Sequence, residues 1–429
     1  MYGPTNKEIK DMTTYNRREK LWTKDYITIM IAACGISFTT HFFLTTLPIY
    51  AEQISNTTAY IGFITGAYTL AALALRPVSG VLIDRIGRVK FLILGALLVS
   101  ISCFLYNLAT SILLLILLRI LNGAGFGIHG TAAGAVAADV IPKSRLMEGM
   151  GYFGIYGTIG FALAPGIALS IIGDGHIENF KFLFIFAGIV SLVSMFLDTT
   201  ISYEKKQKKT QGNANALKKG MTDNNISQNF QDTQELPKTF LGFESSVILP
   251  SIVVLFIYLG QSSIISFIAL YAHEFNLGNI GFFFTLLAIG MFISRLSVGK
   301  IGDKYGPNIV IIPAMIILGF CQASIPFIRS FVFLMTIAFP LGIALGTVSP
   351  ILNAIIIQKC SPSRKGTASA AYFSAIDIGI GIGSIFFGMI IAAYGYTQMF
   401  LGALVFTLIA LIIYGFGLAR KHRKKSFYT

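Results

Sequence analysis

The chain has 429 residues, of which 54% are hydrophobic and only 12% are charged, and its mean hydropathy is +0.72. A soluble domain carries roughly 25% charged residues, and a soluble fold of this length has no interior that could hide so much apolar surface, so lipid must be the solvent. The net charge of +14 would favour nucleic acid if the basic residues formed one patch, but they lie in short breaks between apolar runs. We therefore predict a membrane protein without a nucleic-acid partner.

Twelve apolar runs follow one another along the chain, each close to the ~20 residues that a helix needs to cross ~30 Å of hydrocarbon. The runs are 26–50, 59–79, 91–109, 112–137, 149–172, 182–200, 245–271, 280–298, 309–327, 331–357, 367–392 and 399–419. The predicted fold is all-α, with two six-helix transmembrane bundles at residues 26–200 and 245–419. Residues 1–25 and 420–429 are predicted terminal segments. Residues 201–244, rich in Lys, Gln, Asn and Thr, are predicted to form a flexible or partly helical linker.

Lysine and arginine are concentrated on one side of the predicted bundle. The N-terminal segment, the tail and every second loop carry 28 of the 33 basic residues, whereas the alternate loops carry only Lys181 and Arg329. This distribution predicts a multi-pass protein of the cell membrane with both termini in the cytoplasm. We interpret the basic tail as a topology anchor drawn to anionic lipid, with binding of a substrate or partner as the alternative. The four cysteines have no metal-ligand spacing and are interpreted as reduced packing residues.

A charged stretch between predicted helices 2 and 3, residues 76–90, reads RPVSGVLIDRIGRVK and is predicted to be a short loop. A weaker copy occurs 219 residues later, about half the chain away. The repeated positions are Arg76 and Arg295, Gly80 and Gly299, Asp84 and Asp303, and Gly87 and Gly306. The repeat extends to Tyr152-Phe153, which match Tyr372-Phe373. The protein is therefore predicted to consist of two copies of one unit, with a substrate cavity between them near the membrane midplane.

Polar residues inside the predicted helices are functional candidates, because a charge in the bilayer interior costs roughly 3 kcal/mol or more. Arg119, Asn122, Phe126 and His129 follow one another at three- and four-residue steps on one face of helix 4. We expect Arg119 to face the central cavity and to contact the substrate or the coupling machinery. The alternative is a structural hydrogen bond to backbone carbonyls.

Three titratable residues are candidates for carrying a coupled proton. Asp377 is the sole carboxylate deep in a predicted helix, and desolvation favours its neutral form, but it can also hydrogen-bond a neighbour in a structural role. His41 in helix 1 and His129 titrate near physiological pH in a wet cavity, although each can equally be structural. Gln261 in helix 7 and Asn353 in helix 10 can hydrogen-bond a polar substrate or neighbouring helices, and the sequence does not separate these roles.

Three motifs resemble those of the major facilitator superfamily. Gly80-x-Leu82-x-Asp84-Arg85-x-Gly87-Arg88-x-Lys90 resembles its loop 2–3 signature, Arg119-x-x-Asn122-Gly123-x-Gly125 its second motif, and Gly160-Phe-Ala-Leu-Ala164-Pro165-Gly166 its antiporter motif with Ala164 in place of a glycine. The whole chain is similar to the twelve-helix drug:proton antiporter branch, which includes sugar-efflux and metallophore-efflux relatives. Many drug antiporters carry an acidic residue in helix 1 or helix 4, and this sequence has none there.

The first motif implies a gate on the cytoplasmic side. We expect Asp84 to face the positive N-terminus of helix 11, which is predicted to begin near Thr367, and Arg88 to pair with Asp139 at the end of helix 4. Such contacts would hold the cytoplasmic side closed and would break on inward opening. The alternative is that Arg85, Arg88 and Lys90 only fix topology. For Asp303 in the weaker copy, and for the helix 5 motif with Gly160, Pro165 and Gly166, a gating role and plain packing are both open.

The predicted function is secondary active export of a drug-like, sugar or metallophore-like molecule, coupled to protons and operating by alternating access. An enzyme is not expected, because the sequence has no Walker loop, no metal cluster and no His-Glu-x-x-His motif. Nutrient uptake by symport or uniport remains an alternative, as does a channel or membrane receptor. We expect a monomer without cofactor or metal, whose partners are the small molecule, protons and the lipid bilayer.

Overall fold

The computed structural model describes residues 19–55, 61–173, 176–205, 239–240, 243–278 and 280–419. The basic tail, the first part of the N-terminal segment and most of the predicted linker lie outside the described residues. The described residues form twelve α-helices, each long and apolar enough to cross a membrane, so the predicted all-α fold is confirmed. The helices are α1 (Lys24–Ser55), α2 (Ile61–Ile86), α3 (Arg88–Leu105), α4 (Ile112–Val140), α5 (Leu146–Ile172), α6 (Ile177–Thr199), α7 (Ser245–Glu274), α8 (Gly281–Tyr305), α9 (Asn308–Ser324), α10 (Phe331–Lys359), α11 (Lys365–Tyr394) and α12 (Tyr396–Ile413).

Helix α2 continues through most of the charged stretch, so the prediction of a loop at residues 76–90 was wrong. The helix ends at Ile86, and Gly87 alone, with φ of +126°, separates it from α3. Only glycine adopts this backbone conformation at low cost. The prediction failed because a hydropathy pattern ends where charged residues begin, whereas the backbone hydrogen bonds of the helix continue beyond the apolar run. Helix α8 likewise continues to Tyr305, and the residue that follows it is Gly306, with φ of +90°.

Helices α1–α6 form one bundle and α7–α12 form the second. Within each bundle the equivalent helices pack together, such as α2 on α4 and α8 on α10. The two bundles meet mainly along two helix pairs, α2 with α11 and α5 with α8. These two pairs are related by the internal repeat, so the structure has two equivalent seams between its halves.

Large apolar side chains are exposed on the outside of the bundles. Phe63 and Phe182 are 68% exposed, and Phe320 is 70% exposed. In water such a surface would drive association, whereas in a bilayer it contacts lipid chains. The exposed surface therefore agrees with lipid as the solvent of this protein.

A short antiparallel ribbon precedes the second bundle. Strand β1 (Thr239–Phe240) pairs with strand β2 (Phe243–Glu244). The Glu244 carboxylate accepts a hydrogen bond from the backbone N–H of Ser361 at 3.0 Å. The ribbon thus fastens the end of the linker to the turn between α10 and α11.

Candidate functional site

The Asp84 side chain joins the two bundles at the start of α11. Its carboxylate accepts hydrogen bonds from the backbone N–H groups of Gly366 and Thr367 and from the Thr367 hydroxyl, each at 2.8 Å. The first N–H groups of a helix have no partner within the helix and carry partial positive charge, so they attract a carboxylate. Arg88 approaches the same carboxylate to 3.6 Å. Asp84 therefore ties the end of α2 to the first turn of α11.

Asp303 makes the repeat-related contact at the second seam. Its carboxylate accepts hydrogen bonds from the backbone N–H groups of Met147 at 3.0 Å and Glu148 at 2.8 Å, in the first turn of α5. The weaker sequence copy thus has the same geometry as the stronger one, although the sequence left its role open. We call the side of the bundles on which Asp84 and Asp303 lie the basic side, because most described Lys and Arg residues outside the helix interiors are there.

Further ion pairs surround the Asp84 contact on the basic side. Arg88 Nε lies 2.8 Å from Asp139 at the end of α4. Lys365 reaches across from the second bundle, with Nζ 3.0 Å from the same carboxylate and 2.8 Å from the carbonyl oxygen of Ala138. Asp139 therefore receives one cation from each bundle, whereas Arg85 is exposed.

Two repeat-related glycines allow the helices to approach at the seams. A Cβ at Gly80 would lie 2.6 Å from the Cβ of Ala370 in α11, and a Cβ at Gly299 would lie 2.5 Å from the Cα of Glu148 in α5. Real Cβ atoms do not come this close to other heavy atoms. Both signature glycines are therefore needed for contact between the bundles rather than for a turn, and any larger residue would separate the helices.

Near the middle of the first seam, Arg76 of α2 forms an ion pair with Asp377 of α11. The Nε atom lies 2.6 Å from a carboxylate oxygen, and the Arg76 side chain is 2% exposed. The rings of Phe126 and Phe373 also lie against the guanidinium, at 5.6 and 4.8 Å. An unpaired charge here would be costly, so each residue supplies the partner that the other needs.

At the same level of the second seam, Arg295 of α8 contacts α5 without a carboxylate. Its guanidinium donates to the carbonyl oxygen of Gly154 and to the hydroxyl of Thr158. Among the described residues, no acidic group forms an ion pair with it. The two seams are thus alike on the basic side and different near their centres.

Hydrogen bonds between described residues of the two bundles are confined to the basic side and the centre. Apart from the contacts above, they include the Tyr152 hydroxyl, which donates to the carbonyl oxygen of Leu296 at 3.4 Å. Lys300 of α8 also lies 3.8 Å from the Glu148 carboxylate of α5. In the part of the chain that the structure describes, the bundles are therefore held together on the basic side.

The polar residues of the second motif lie inside the first bundle. Arg119 is 1% exposed and lies over the ring of Tyr68 in α2, with its guanidinium carbon 4.4 Å from the ring centroid. Asn122 donates to the Ser102 hydroxyl of α3 at 2.7 Å. The Nε and one Nη of Arg119 have no hydrogen-bond acceptor among the described residues. Arg119 thus keeps two buried donors without an acceptor in the described part of the chain.

The two candidate histidines occupy different environments. His129 lies 3.1 Å from Asp198 of α6, and both side chains are almost completely buried within the first bundle. His41 is half-buried, with Nδ1 2.8 Å from the Ser37 carbonyl oxygen and its ring against Phe161 of α5. His129 therefore belongs to an internal pair, whereas His41 lies beside a helix that contacts the second bundle.

The remaining candidates lie in α5, α7 and α10. Gln261 and Asn353 are buried, and the side-chain oxygen of each has no hydrogen-bond partner among the described residues. In the antiporter-like motif, a Cβ at Gly160 would lie 2.3 Å from the Ser37 hydroxyl, whereas one at Gly166 would meet nothing within 4 Å. Pro165 lies within α5. Of these two motif glycines, only Gly160 packs closely against α1.

Sequence reasoning missed three partners that complete this site. They are Arg76 as the counter-ion of Asp377, Lys365 as a second cation on Asp139, and Asp198 as the partner of His129. One signal could have identified the first, since Arg76 and Asp377 are opposite charges within predicted membrane spans. Lys365 and Asp198 lie near predicted helix ends, where charged residues are common, so no comparable signal marked them.

Comparisons with known proteins agree with this architecture. The model of the Major Facilitator Superfamily matches residues 28–248 and 250–427. An uncharacterized MFS-type transporter of Methanocaldococcus jannaschii is 27% identical over 90% of this chain and 95% of its own length. The staphylopine export protein of Staphylococcus aureus is 22% identical over 83% of this chain and 86% of its own. The quinolone resistance protein NorA of S. aureus is 25% identical over 44% of this chain and 46% of its own length.

Two solved structures share the fold. The human organic anion transporter MFSD10 (TETRAN) superposes with a TM-score of 0.72 at 16% identity, over 91% of this chain and 98% of the other. A bacterial homologue of the iron transporter ferroportin, in an outward-facing state, superposes with a TM-score of 0.69 at 15% identity and the same coverage. At these identities the likeness shows the fold alone.

Proposed function

The chain belongs to the Major Facilitator Superfamily, and we propose that it exports a small molecule from the cell in exchange for protons. The observation that supports transport by alternating access is the duplicated contact on the basic side, where Asp84 and Asp303 each bind the first turn of a helix in the other bundle. Transporters of this architecture work by alternating access, in which two bundles rock around a site near the membrane midplane. Contacts made of a few ionic hydrogen bonds can break and re-form in such a cycle.

The basic side corresponds, in our proposal, to the cytoplasm. Short loops rich in Lys and Arg remain on the cytoplasmic side of a membrane, and the alternate loops of this chain carry only Lys181 and Arg329. In this orientation the structure is closed toward the cytoplasm. The Asp84 and Asp303 contacts then act as the cytoplasmic gate, and the N-terminus and tail lie in the cytoplasm of the cell whose plasma membrane holds the protein.

Export is supported by one relative that covers most of the chain. The staphylopine export protein matches over most of its own length. NorA, a quinolone resistance protein, matches over less than half and therefore adds less weight. The antiporter-like motif in α5 points in the same direction. We propose that the substrate is a drug-like, sugar or metallophore-like molecule, carried by a monomer.

We propose that Asp377 carries the proton. Its carboxylate is held by Arg76 of the other bundle, so protonation would remove the ion pair between α2 and α11. Loss of one partner of a buried pair costs about 3–5 kcal/mol. A free-energy change of this size is enough to move a two-state equilibrium from mostly one conformation toward the other. His41 is the second candidate, since it lies beside α5 and outside an ion pair of the described residues.

An efflux-deficient host that expresses the full chain would test the direction and the coupling. The measurement is the cellular accumulation of a quinolone, a sugar and a metal chelate, with and without a protonophore. We expect lower accumulation of at least one compound, and we expect the protonophore to abolish that decrease. Asp377→Asn should abolish transport driven by a pH gradient while substrate exchange continues, and Asp198→Asn, which removes a buried carboxylate within one bundle, is the matched control.

The outcomes separate the parts of the proposal. Higher accumulation on expression, abolished by Arg119→Ala, would overturn export and indicate uptake. A pH response that is unchanged in Asp377→Asn would reject Asp377 as the proton carrier and leave His41 as the candidate. Permeation of ions without saturation would instead indicate a channel.

A further inference from the structure

The two repeat-related arginines near the membrane centre have different partners. Arg76 and Arg295 are separated by 219 residues, and each lies ten residues before the last residue of its helix, α2 or α8. Arg76 has a carboxylate, Asp377, at 2.6 Å. Among the described residues, Arg295 has only a backbone carbonyl and a threonine hydroxyl as partners. The arginine at the first seam is therefore neutralised by a carboxylate, whereas the equivalent arginine at the second seam has no counter-ion among the described residues.

A glycine with free space around it occupies the position where a matching carboxylate would be. Tyr152 and Tyr372 are separated by 220 residues, and the same separation relates Gly157 of α5 to Asp377 of α11. A Cβ built on Gly157 meets no atom of the described residues within 4 Å, and Gly157 is half-buried. It lies in α5 next to Thr158, whose hydroxyl accepts from Arg295. The described residues thus leave open space at the position that corresponds to Asp377 and form no ion pair with Arg295.

The surroundings of Arg295 are polar but neutral. The side chain is 7% exposed, and its Nε finds no hydrogen-bond acceptor among the described residues. The groups within electrostatic range are the phenols of Tyr156, Tyr258 and Tyr372. Tyr258 and Tyr372 hydrogen-bond to the hydroxyl of one serine, Ser349, at 3.0 and 2.7 Å. A buried guanidinium with a spare donor and no anion is costly, and an anion would reduce that cost.

We propose that Arg295 binds the negatively charged group of the substrate, which is therefore a small organic anion, most simply a carboxylate. The substrate anion takes at Arg295 the position that Asp377 holds at Arg76, in the space beside Gly157. A planar guanidinium suits this role because it can donate two parallel hydrogen bonds to a carboxylate.

In this assignment the two seams have different roles. Asp377 and Arg76 form the pair that a proton opens, and Arg295 receives the substrate. The membrane potential also favours export of such a substrate, since moving one negative charge out of a cell with a negative interior gains about 2.3 kcal/mol per 100 mV. The term substrate rests on the proposed transport function, whereas binding of an anion at Arg295 depends on neither the direction of transport nor its coupling.

Thermal unfolding of the purified full-length protein in detergent tests the binding site directly. The probes are benzoate, benzyl alcohol and benzylamine, which share a phenyl ring and differ in charge. A ligand that binds only the folded protein raises its unfolding temperature. We expect a concentration-dependent rise with benzoate and none with the neutral or cationic probe. Arg295→Gln should lose the benzoate response, and Arg329→Gln, which removes a guanidinium far from the seam, should retain it.

A second pair of variants covers the case in which Arg295→Gln fails to fold. Gly157→Asp supplies the missing carboxylate within the chain and should abolish the benzoate response, whereas Gly157→Ala, whose added Cβ meets no atom of the described residues within 4 Å, should retain it. The proposal is overturned if benzoate does not stabilise the wild-type protein, if benzyl alcohol stabilises it equally, or if the Asp and Ala variants respond alike. If cells take up the substrate instead of exporting it, the proposed function is wrong, but binding of benzoate at Arg295 is unaffected.

Discussion

The contact between Asp84 and the first turn of α11 makes a quantitative prediction about closure of the basic side. Asp84→Asn keeps the shape of the side chain but removes its charge. It also turns an NH2 group toward the N–H groups of Gly366 and Thr367, two of the donors that the carboxylate satisfies at 2.8 Å. The Asp84 side chain is 8% exposed, so solvent cannot replace these bonds easily.

The expected loss follows from the size of these interactions. A carboxylate at a partly buried helix N-terminus gains up to about 2 kcal/mol, and a hydrogen bond to a charged group contributes about 1.5–3 kcal/mol. Because Asn retains one acceptor oxygen, we take about 2 kcal/mol as the destabilisation of the closed conformation. This corresponds to about a 30-fold rise in the ratio of basic-side-open to closed protein.

Labelling of a single cysteine measures that ratio. The native cysteines Cys34, Cys103, Cys321 and Cys360 are first replaced by serine. Ser349→Cys then places one thiol beside Tyr258 and Tyr372, which lie within electrostatic range of Arg295 at the second seam. A membrane-impermeant maleimide is applied from the basic side. Asp84→Asn should raise the labelling rate about 30-fold. Asp303→Asn should act similarly at the other seam.

The control is Asp198→Asn, which removes a buried carboxylate within one bundle and should leave the labelling rate unchanged. An Asp84→Asn protein that is present in the membrane at normal levels but is labelled at the wild-type rate would refute the reasoning. The charged stretch would then only fix topology, as the alternative interpretation of the sequence holds.

Three further predictions concern other buried contacts. Asp377→Asn should lower the unfolding temperature, because removing one partner of a buried pair costs about 3–5 kcal/mol, and combination with Arg76→Gln should recover part of the loss. Gly80→Val should hold α2 away from α11, because the added Cβ would lie 2.6 Å from a side chain of that helix, and should raise basic-side labelling. His129→Leu should lower the unfolding temperature without changing labelling, because it leaves Asp198 buried and unpaired within one bundle.

Each of these predictions has a contrary result. If the losses from Asp377→Asn and Arg76→Gln simply add in the double variant, the two residues do not act as a pair. If Gly80→Val leaves labelling at the wild-type rate, α2 and α11 do not need to touch for closure. A change in labelling in His129→Leu would connect the internal pair to the opening of the bundles.

Most of the fold was predictable from the sequence because membrane helices have a strong local signal. Apolar runs of the right length mark each helix, and every predicted run corresponds to a helix in the structure. The ends of α2 and α8 were not predictable in the same way. Their last turns are held by contacts such as that of Asp303 with α5, and hydropathy carries no information about a partner 155 residues away in the chain.

The candidate site was less predictable because it depends on which helices meet. The repeat identified Arg76 and Arg295 as equivalent, and the sequence marked Asp377 as unusual. It did not pair Arg76 with Asp377, because 301 residues separate them and nothing local links α2 to α11. For the same reason the sequence could not identify the partners of Arg119 and Asn122, which are Tyr68 of α2 and Ser102 of α3.

The two halves of this protein can be compared position by position. The comparison distinguishes residues that make the same contact at both seams from residues whose chemistry differs between them. Asp84 and Asp303 make the same contact at both seams, as expected of parts that open and close two equivalent interfaces. Asp377 and Gly157 occupy equivalent positions in the repeat, but only Asp377 has an ionisable side chain. Closure requires both seams to behave alike, so divergence on the basic side would leave one seam open. A single group cannot bind a proton and a substrate independently of each other. A difference between the two seams near their centres therefore allows the proton and the substrate to bind at separate residues. In our proposal, the difference between the halves marks the residues that decide what is carried.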